Sequence, residues 1–241
     1  MAIIDKLIKR VSQRGIIAQK TKLSENIYHI RIQDDNVREA DFLPGYFLRV
    51  GVGIGDSEAT FKDKVRSYSV WNIDKQRGTI DIAIATHSMG IGASWVRKCE
   101  IDDAIYYVWK KGNFFLDDNA DSFLMIGDLS ALAHLYVIGR NLPKERKVEG
   151  IIYSGSMNEC YGDIDGKTPF QFYEMPHNPY ESIISKVKEI VPGLPGRKMV
   201  YIGGDSRVCV ALNQYFKQEL YWSTKQIKTK PFWNPDKKGL E

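Results

Sequence analysis

Cysteine is scarce in this chain: Cys99, Cys160 and Cys209 are the only three, and no two form a C-x-x-C pair. That excludes a disulfide framework and a four-cysteine zinc or iron–sulfur site, and it places the chain in the cytoplasm as an expectation. The histidines (His29, His87, His134, His177) lack metal-ligand spacing, so no metal site is expected. No apolar run approaches the roughly 20 residues of a membrane span, and residues 1–11 have neither the continuous apolar core nor the cleavage site of a signal peptide. Nor is there a strong charge imbalance. A net charge of +4 over 241 residues is too small to indicate nucleic acid, although it suits an anionic cofactor or substrate. Internal repeats and low-complexity tracts are absent. What remains is a chain with 43% hydrophobic residues, enough to build one large core or two smaller ones.

Two kinds of periodicity divide the sequence. Ile3, Ile4, Leu7, Ile8 and Val11 recur at helical spacing, so residues 3–11 read as an amphipathic helix. Docking on the domain is the expected fate of that stripe, with attachment to a membrane surface as the alternative. Between 15 and about 115 short strands follow one another: 15–20, 26–32, 47–50 after the Pro44-Gly45 turn, 66–71, 79–85 and 105–109, with a short helical stretch after Ser94. Many short strands separated by turns predict a barrel. From about 120, apolar strands (122–128, 150–154, 197–205) alternate with helices (131–138, 180–191, 208–220), which predicts a parallel sheet covered on both faces. The segment 157–179 is rich in Gly, Asp and Pro and reads as a surface loop. The expected fold is therefore an antiparallel β-barrel over 1–117 followed by an α/β domain over 118–241, with a basic, aromatic C-terminal tail. A cleft between two such domains is the expected reaction site.

The chemistry concentrates at Arg66-Ser67-Tyr68-Ser69 and, downstream, Gly90-Ile91-Gly92-Ala93-Ser94-Trp95. Arg66 offers a fork of donors to a diphosphate, Tyr68 a flat face to a flavin, and Ser69 a hydroxyl that can polarise the flavin N5 edge. In the second segment, Gly92, Ala93 and Ser94 let backbone amides approach the same diphosphate at a helix N-terminus. Each segment also has a plain structural reading, as alternating strand residues and as an ordinary helix cap. Their order and spacing together point to FAD. His87, at a strand end, is a further candidate for cofactor contact. Parallel sheets bind ligands beyond the carboxyl ends of their strands. Asp128 and Ser130, and later Gly204 and Asp205, sit at such ends, where they could cap helices or line a nicotinamide-nucleotide pocket. Lys225, Lys228 and Lys230 with Phe232 and Trp233 could be solvated surface or a basic, aromatic rim for an anionic metal chelate. No nucleophile–base pair or metal-ligand cluster is found, and electron transfer through a flavin requires none.

In order and spacing, Pro44-Gly45, R-S-Y-S at 66–69, the strand entering His87, G-I-G-A-S-W at 90–95, G-D-L-S-A-L at 127–132 and Gly203-Gly204-Asp205 resemble the siderophore-interacting proteins, a branch of the ferredoxin-reductase superfamily. The resemblance runs over nearly the whole chain after residue 15. It implies a two-domain fold, bound FAD, NADH or NADPH as donor (a reduced ferredoxin being the alternative), and a ferric siderophore as acceptor, with no nucleic-acid partner. Departures are Asp205 where the family usually has Glu, and Ile91 where a proline is usual. Cys209 is followed by Val210, so the Cys-Gly-Pro of ferredoxin reductases is missing. No basic residue stands in 154–159, which leans toward NADH, although Arg207 or Lys198 could serve a 2′-phosphate. Two other functions fit the same residues: a reductase serving a protein acceptor such as flavodoxin, and a non-catalytic module that binds flavin or chelate.

Overall fold

The computed structural model describes residues 3–56, 59–60, 63–86, 90–176 and 178–236, and the chain divides between Gly112 and Asn113 into two compact units. In the first, helix α1 (Ile3–Val11) precedes strands β1 (Gln13–Ser24), β2 (Ile27–Gln33), β3 (Phe47–Gly51), β4 (Val65–Asp74) and β5 (Thr79–Ala85), helix α2 (Ile91–Lys98) and strand β6 (Ala104–Lys110). The six strands close into a barrel in the order β1-β2-β5-β4-β3-β6. Alternation decides what fills it: Ile30, Ile32, Leu48, Val50, Ile80 and Ile82 are buried in one cluster, while Arg31 and Arg49 point the other way. Two register shifts along β1 let that long strand bend from β2 to β6 and remove the open edge. On the outer side, Asp81 accepts hydrogen bonds from His29, Arg31 and Asn72. Burial alone would raise its carboxyl, but these three partners outweigh it and hold the group below the usual carboxylate range.

The second unit contains β7 (Ser122–Asp128), α3 (Leu129–Arg140), β8 (Lys147–Ser154), β9 (Gln171–Glu174), α4 (Tyr180–Ile190), β10 (Lys198–Asp205), α5 (Ser206–Gln218) and β11 (Ile227–Trp233). Its five strands pair in parallel in the order β11-β10-β7-β8-β9. Central β7 is buried along its whole length. Residues of α4 and α5 (Ile183, Val187, Val208, Leu212, Phe216) share one core with Leu124, Ile126, Ile151, Val200 and Ile202. On the opposite face α3 comes close because Gly127 and Gly203 lack side chains: a Cβ at Gly203 would stand 2.8 Å from that of Ala131.

Two strands lie where the sequence reads as loop or tail. Strand β9 is a four-residue edge inside the expected 157–179 loop. Strand β11 is the opposite edge, and it takes in the lysine-rich segment that reads as a tail; an edge position tolerates Pro231. The second unit also begins earlier than residue 118. Phe114 is buried, its ring 4.9 Å from that of His134 and 5.5 Å from that of Tyr201, and the Tyr201 hydroxyl donates to the Phe115 carbonyl at 3.1 Å.

His134 makes the second unit sensitive to acid. It is fully buried, and its Nε2 lies 2.6 Å from the Phe114 carbonyl, an acceptor, so Nε2 carries the proton of a neutral ring. Burial, reinforced by Lys230, pushes its pKa from 6.5 down to about 3. The unfolded chain takes up this proton as the pH falls below 6.5 and the native state does not, so stability is lost between pH 6.5 and about 3, by about 1.4 kcal/mol per pH unit for one proton. In urea unfolding, His134→Gln, which keeps an N–H donor, is expected to close on the wild type by about that slope below pH 6. A gap independent of pH would contradict this assignment.

Candidate active site

The flavin motif is assembled inside the first unit. Register pairs Leu48 with Tyr68 and Val50 with Arg66, so Arg66 and Tyr68 share the face of those two buried residues, and Ser69 takes the other. Arg66 is buried. Its Nη1 donates to the carbonyls of Val65 at 2.8 Å and Asp63 at 3.2 Å, which fixes the plane of the guanidinium. Ser69 is buried as well.

Helix α2 begins at Ile91, so Gly92, Ala93 and Ser94 all lie in its first turn, earlier than the expected start after Ser94. Gly90 caps it without a side-chain acceptor, and the first turn holds no acidic residue. Both features keep the positive end of the helix dipole uncompensated. The first turn meets strand β4 at Gly92: a Cβ there would lie 2.3 Å from the Tyr68 hydroxyl and 3.3 Å from Cγ of Arg66. One turn on, Trp95 stacks on Tyr68 with centroids 6.4 Å apart and planes 21° apart. The guanidinium-bearing strand and the helix N-terminus are therefore neighbours, and a side chain at position 92 would displace the Tyr68 ring. His87 lies outside the described residues.

Sequence reasoning did not single out Trp95 as a stacking partner, nor Lys64. Lys64 is fully buried beside the motif, 2.8 Å from the Asp5 carboxylate of α1, and donates to the Gly53 carbonyl at 3.0 Å. The Lys64 ammonium hydrogen-bonded to its carboxylate holds Asp5 below the usual carboxylate range. A lysine in a stretch as charged as Lys62-Asp63-Lys64-Val65-Arg66 gives no sign of burial in the sequence.

In the second unit, Asp128, Ser130, Gly204, Asp205 and Trp233 come together at the carboxyl edge of the parallel sheet. Asp128 Oδ1 caps α3, accepting from the backbone N–H of Ser130 at 2.8 Å and from its hydroxyl. Its Oδ2 accepts from the Asp205 N–H at 2.8 Å and from the Trp233 indole at 2.7 Å. One carboxylate thus ties together the ends of β7, β10 and β11. Gly204 has φ +117°, and a Cβ there would stand 2.3 Å from Asp128 Oδ2, so only glycine fits. Asp205 caps α5 through Arg207 N–H at 2.9 Å and receives the Arg207 guanidinium at 2.7 Å. Tyr153, the penultimate residue of β8, pairs with Asp128; it is buried, and among the described residues its hydroxyl has no hydrogen-bond partner. Its only signal in the sequence is its place one residue before the strand end.

The lysines are spread along β11 and its approach. Lys228 pairs with Asp117 at 2.9 Å and covers the Phe115 ring at 5.5 Å; Lys230 lies 5.2 Å over Phe232. Lys225 precedes the strand, at the sheet's amino edge, away from Asp205 and Trp233. Among the described residues, no group of three His, Cys, Asp or Glu side chains is arranged to hold a metal ion, and no helix is long and apolar enough to cross a membrane.

The family described as siderophore-interacting FAD-binding domain matches residues 17–112, and that described as siderophore-interacting protein matches residues 120–236. The chain belongs to the siderophore-interacting protein family. It is an FAD-binding oxidoreductase with a ferredoxin-reductase-like fold. Among solved structures, the siderophore-interacting protein of Acinetobacter baumannii is 13% identical with a TM-score of 0.78, over 93% of this chain and 91% of that one. SipS of Aeromonas hydrophila is 15% identical with a TM-score of 0.75, over 94% and 92%. Phthalate dioxygenase reductase, which carries electrons from pyridine nucleotides to a [2Fe-2S] centre, is 19% identical with a TM-score of 0.66, over 92% of this chain and 68% of its own. At these identities the likeness is one of fold. No functionally curated protein matches the chain at a significant level.

Proposed function

We propose that this protein is a cytoplasmic reductase that moves electrons from a nicotinamide nucleotide, by way of FAD, to ferric siderophores and so releases iron as Fe(II). The observation that carries this reading is the meeting of Arg66, Tyr68 and the first turn of α2 at Gly92. Arg66 brings a buried positive charge, and the amides of Gly92 and Ala93 a helix N-terminus, to one place that suits a diphosphate; the Ser94 N–H already donates to the Gly90 carbonyl at 3.0 Å, so Ser94 has its hydroxyl to offer. Tyr68, backed by Trp95, presents the aromatic face for the flavin. Ser69 is assigned the catalytic role: its hydroxyl would hydrogen-bond the N5 edge of a bound flavin and steady charge that develops there. Bound FAD supplies the conversion of one two-electron hydride into two one-electron transfers, so each nicotinamide oxidised reduces two ferric centres.

The carboxyl edge of the parallel sheet takes the nucleotide, with Ser130, Gly204 and Asp205 lining it and Asp128 positioning them. Arg207 is neutralised by Asp205, which removes the nearest counter-charge for a 2′-phosphate and supports NADH as donor. Lys230 and Trp233 form the basic, aromatic strip for the anionic chelate; Lys228 beside them is partly compensated by Asp117, and Lys225 contributes only long-range charge.

Anaerobic stopped-flow tests the proposal. NADH is expected to bleach the flavin, and a ferric siderophore to restore its colour with two irons reduced per NADH. Lys228→Ala with Lys230→Ala is expected to raise the KM for an anionic chelate about tenfold, as two charge contacts of roughly 0.5–1 kcal/mol each imply, without changing the rate of flavin reduction. If flavodoxin or a ferredoxin reoxidises the flavin and chelates do not, the acceptor is a protein. If NADH and NADPH both leave the flavin oxidised, the donor assignment fails.

A further inference from the structure

Helix α1 is set on the barrel in an unusual rotation. Its inward side carries Asp5 and Ile8, both buried. Asp5 reaches Lys64 at 2.8 Å and accepts the Gly55 N–H at 3.0 Å, and a Cβ on Gly51 would stand 3.5 Å from Ile8. This buried ion pair fixes which side of the helix faces in. The apolar stripe, which an amphipathic surface helix ordinarily turns to the core, is therefore split: Ile8 is buried and Ile4 half-buried, while its other three residues stay outside. Ile3, Leu7 and Val11, one turn apart along a single line, are 86%, 52% and 64% exposed. Lys6 and Arg10, also one turn apart, lie beside that line and are exposed; Arg14, exposed on β1, adds to them. Lys9 lies against the Tyr106 ring at 5.1 Å. The acidic residue of the helix is neutralised by Lys64, so the outward side presents aliphatic and positive groups only.

We infer that this face of α1 seats the protein on an anionic lipid surface, with Ile3, Leu7 and Val11 entering the headgroup boundary and Lys6, Arg10 and Arg14 meeting lipid phosphates. Charge complementarity selects this occupant. A second copy of the chain related by a two-fold axis would set Lys6 and Arg10 against their own equivalents, which like-charge repulsion disfavours. The inference does not depend on the electron-transfer reading.

The test is flotation of the full-length, FAD-loaded protein with vesicles. Co-flotation is expected with mixed phosphatidylcholine–phosphatidylglycerol vesicles at low salt, little with phosphatidylcholine alone, and less as salt rises. Leu7→Glu is expected to abolish it. Lys6→Glu and Arg10→Glu are each expected to lower partition at least about fivefold, the equivalent of roughly 1 kcal/mol per lost charge. Both residues are exposed, so these two variants keep the test valid if Leu7→Glu folds poorly, and retained flavin absorbance checks each variant. No binding to the mixed vesicles, equal binding to neutral ones, binding that survives both charge reversals, or a dimer in sedimentation that Leu7→Glu dissolves would each overturn the inference.

Discussion

Arg66→Ala is expected to come off the column largely colourless. Charge-assisted hydrogen bonds are worth about 1.5–3 kcal/mol each, and a guanidinium that makes two to a diphosphate would take about 3 kcal/mol or more with it, a loss of FAD affinity of at least about a hundredfold. Arg66 is fixed on the backbone carbonyls of Asp63 and Val65, so it needs little reordering to bind. For the same reason Arg66→Lys is a poor substitute: an ammonium cannot hold two backbone acceptors and a diphosphate in one plane. Binding is expected in the order arginine, lysine, alanine, measured by quenching of FAD fluorescence on titration with apoprotein. Arg66→Ala also gives up the hydrogen bonds to the Asp63 and Val65 carbonyls, so a modest drop in the melting temperature of the flavin-free protein is expected beside the loss of affinity. Equal FAD affinity in all three proteins would show that the diphosphate is held elsewhere.

Asp128→Asn is expected to destabilise the second unit by about 3 kcal/mol, although it changes one atom. Every partner around this carboxylate is a donor: the Ser130 N–H and hydroxyl on one oxygen, the Asp205 N–H and Trp233 indole on the other. Asparagine can place its single oxygen on only one of these pairs. Its NH2 then faces the other, leaving a helix cap or two buried donors unsatisfied at about 1–3 kcal/mol per group. Near Tm that corresponds to a drop of roughly 6–12 °C for a domain of this size. Trp233 fluorescence should shift as the indole loses its acceptor. An unchanged melting point would mean that Asp128 is not a structural tie and would return it to the set of direct nucleotide contacts.

The sequence displayed some of these features and concealed others, for identifiable reasons. Strands β5 and β7 fall where alternation and a continuous apolar run place them, because burial on one or both faces writes directly into residue order. The close approach of β4 and α2 was legible as a spacing of motifs, but the contact itself depends on barrel closure, which no local pattern records. Strand β11 was hidden because lysines and a proline sit where a central strand would carry aliphatics; as an edge, it needs fewer. Strand β9 is too short to show any period. The Ser130 spacing suggested that Asp128 caps a helix, whereas the work of its second oxygen comes from residues far along the chain. The rotation of α1 was only half readable: apolar periodicity predicts docking through the stripe, which Ile8 does, but the distant Lys64 draws Asp5 inward and leaves Ile3, Leu7 and Val11 outside.

The account rests on Arg66, Tyr68 and the first turn of α2 forming one flavin site, and the FAD affinity of Gly92→Ala tests it most directly. Alanine is intrinsically better than glycine in a helix by about 1 kcal/mol, so α2 itself should not suffer. The new Cβ would, however, sit 2.3 Å from the Tyr68 hydroxyl, and the ring must swing away. The predicted result is an unchanged melting temperature for the apoprotein with FAD affinity lowered about five- to tenfold, the cost of one misplaced aromatic contact of roughly 1–1.5 kcal/mol. A Gly92→Ala protein that binds FAD as tightly as the wild type would contradict the account.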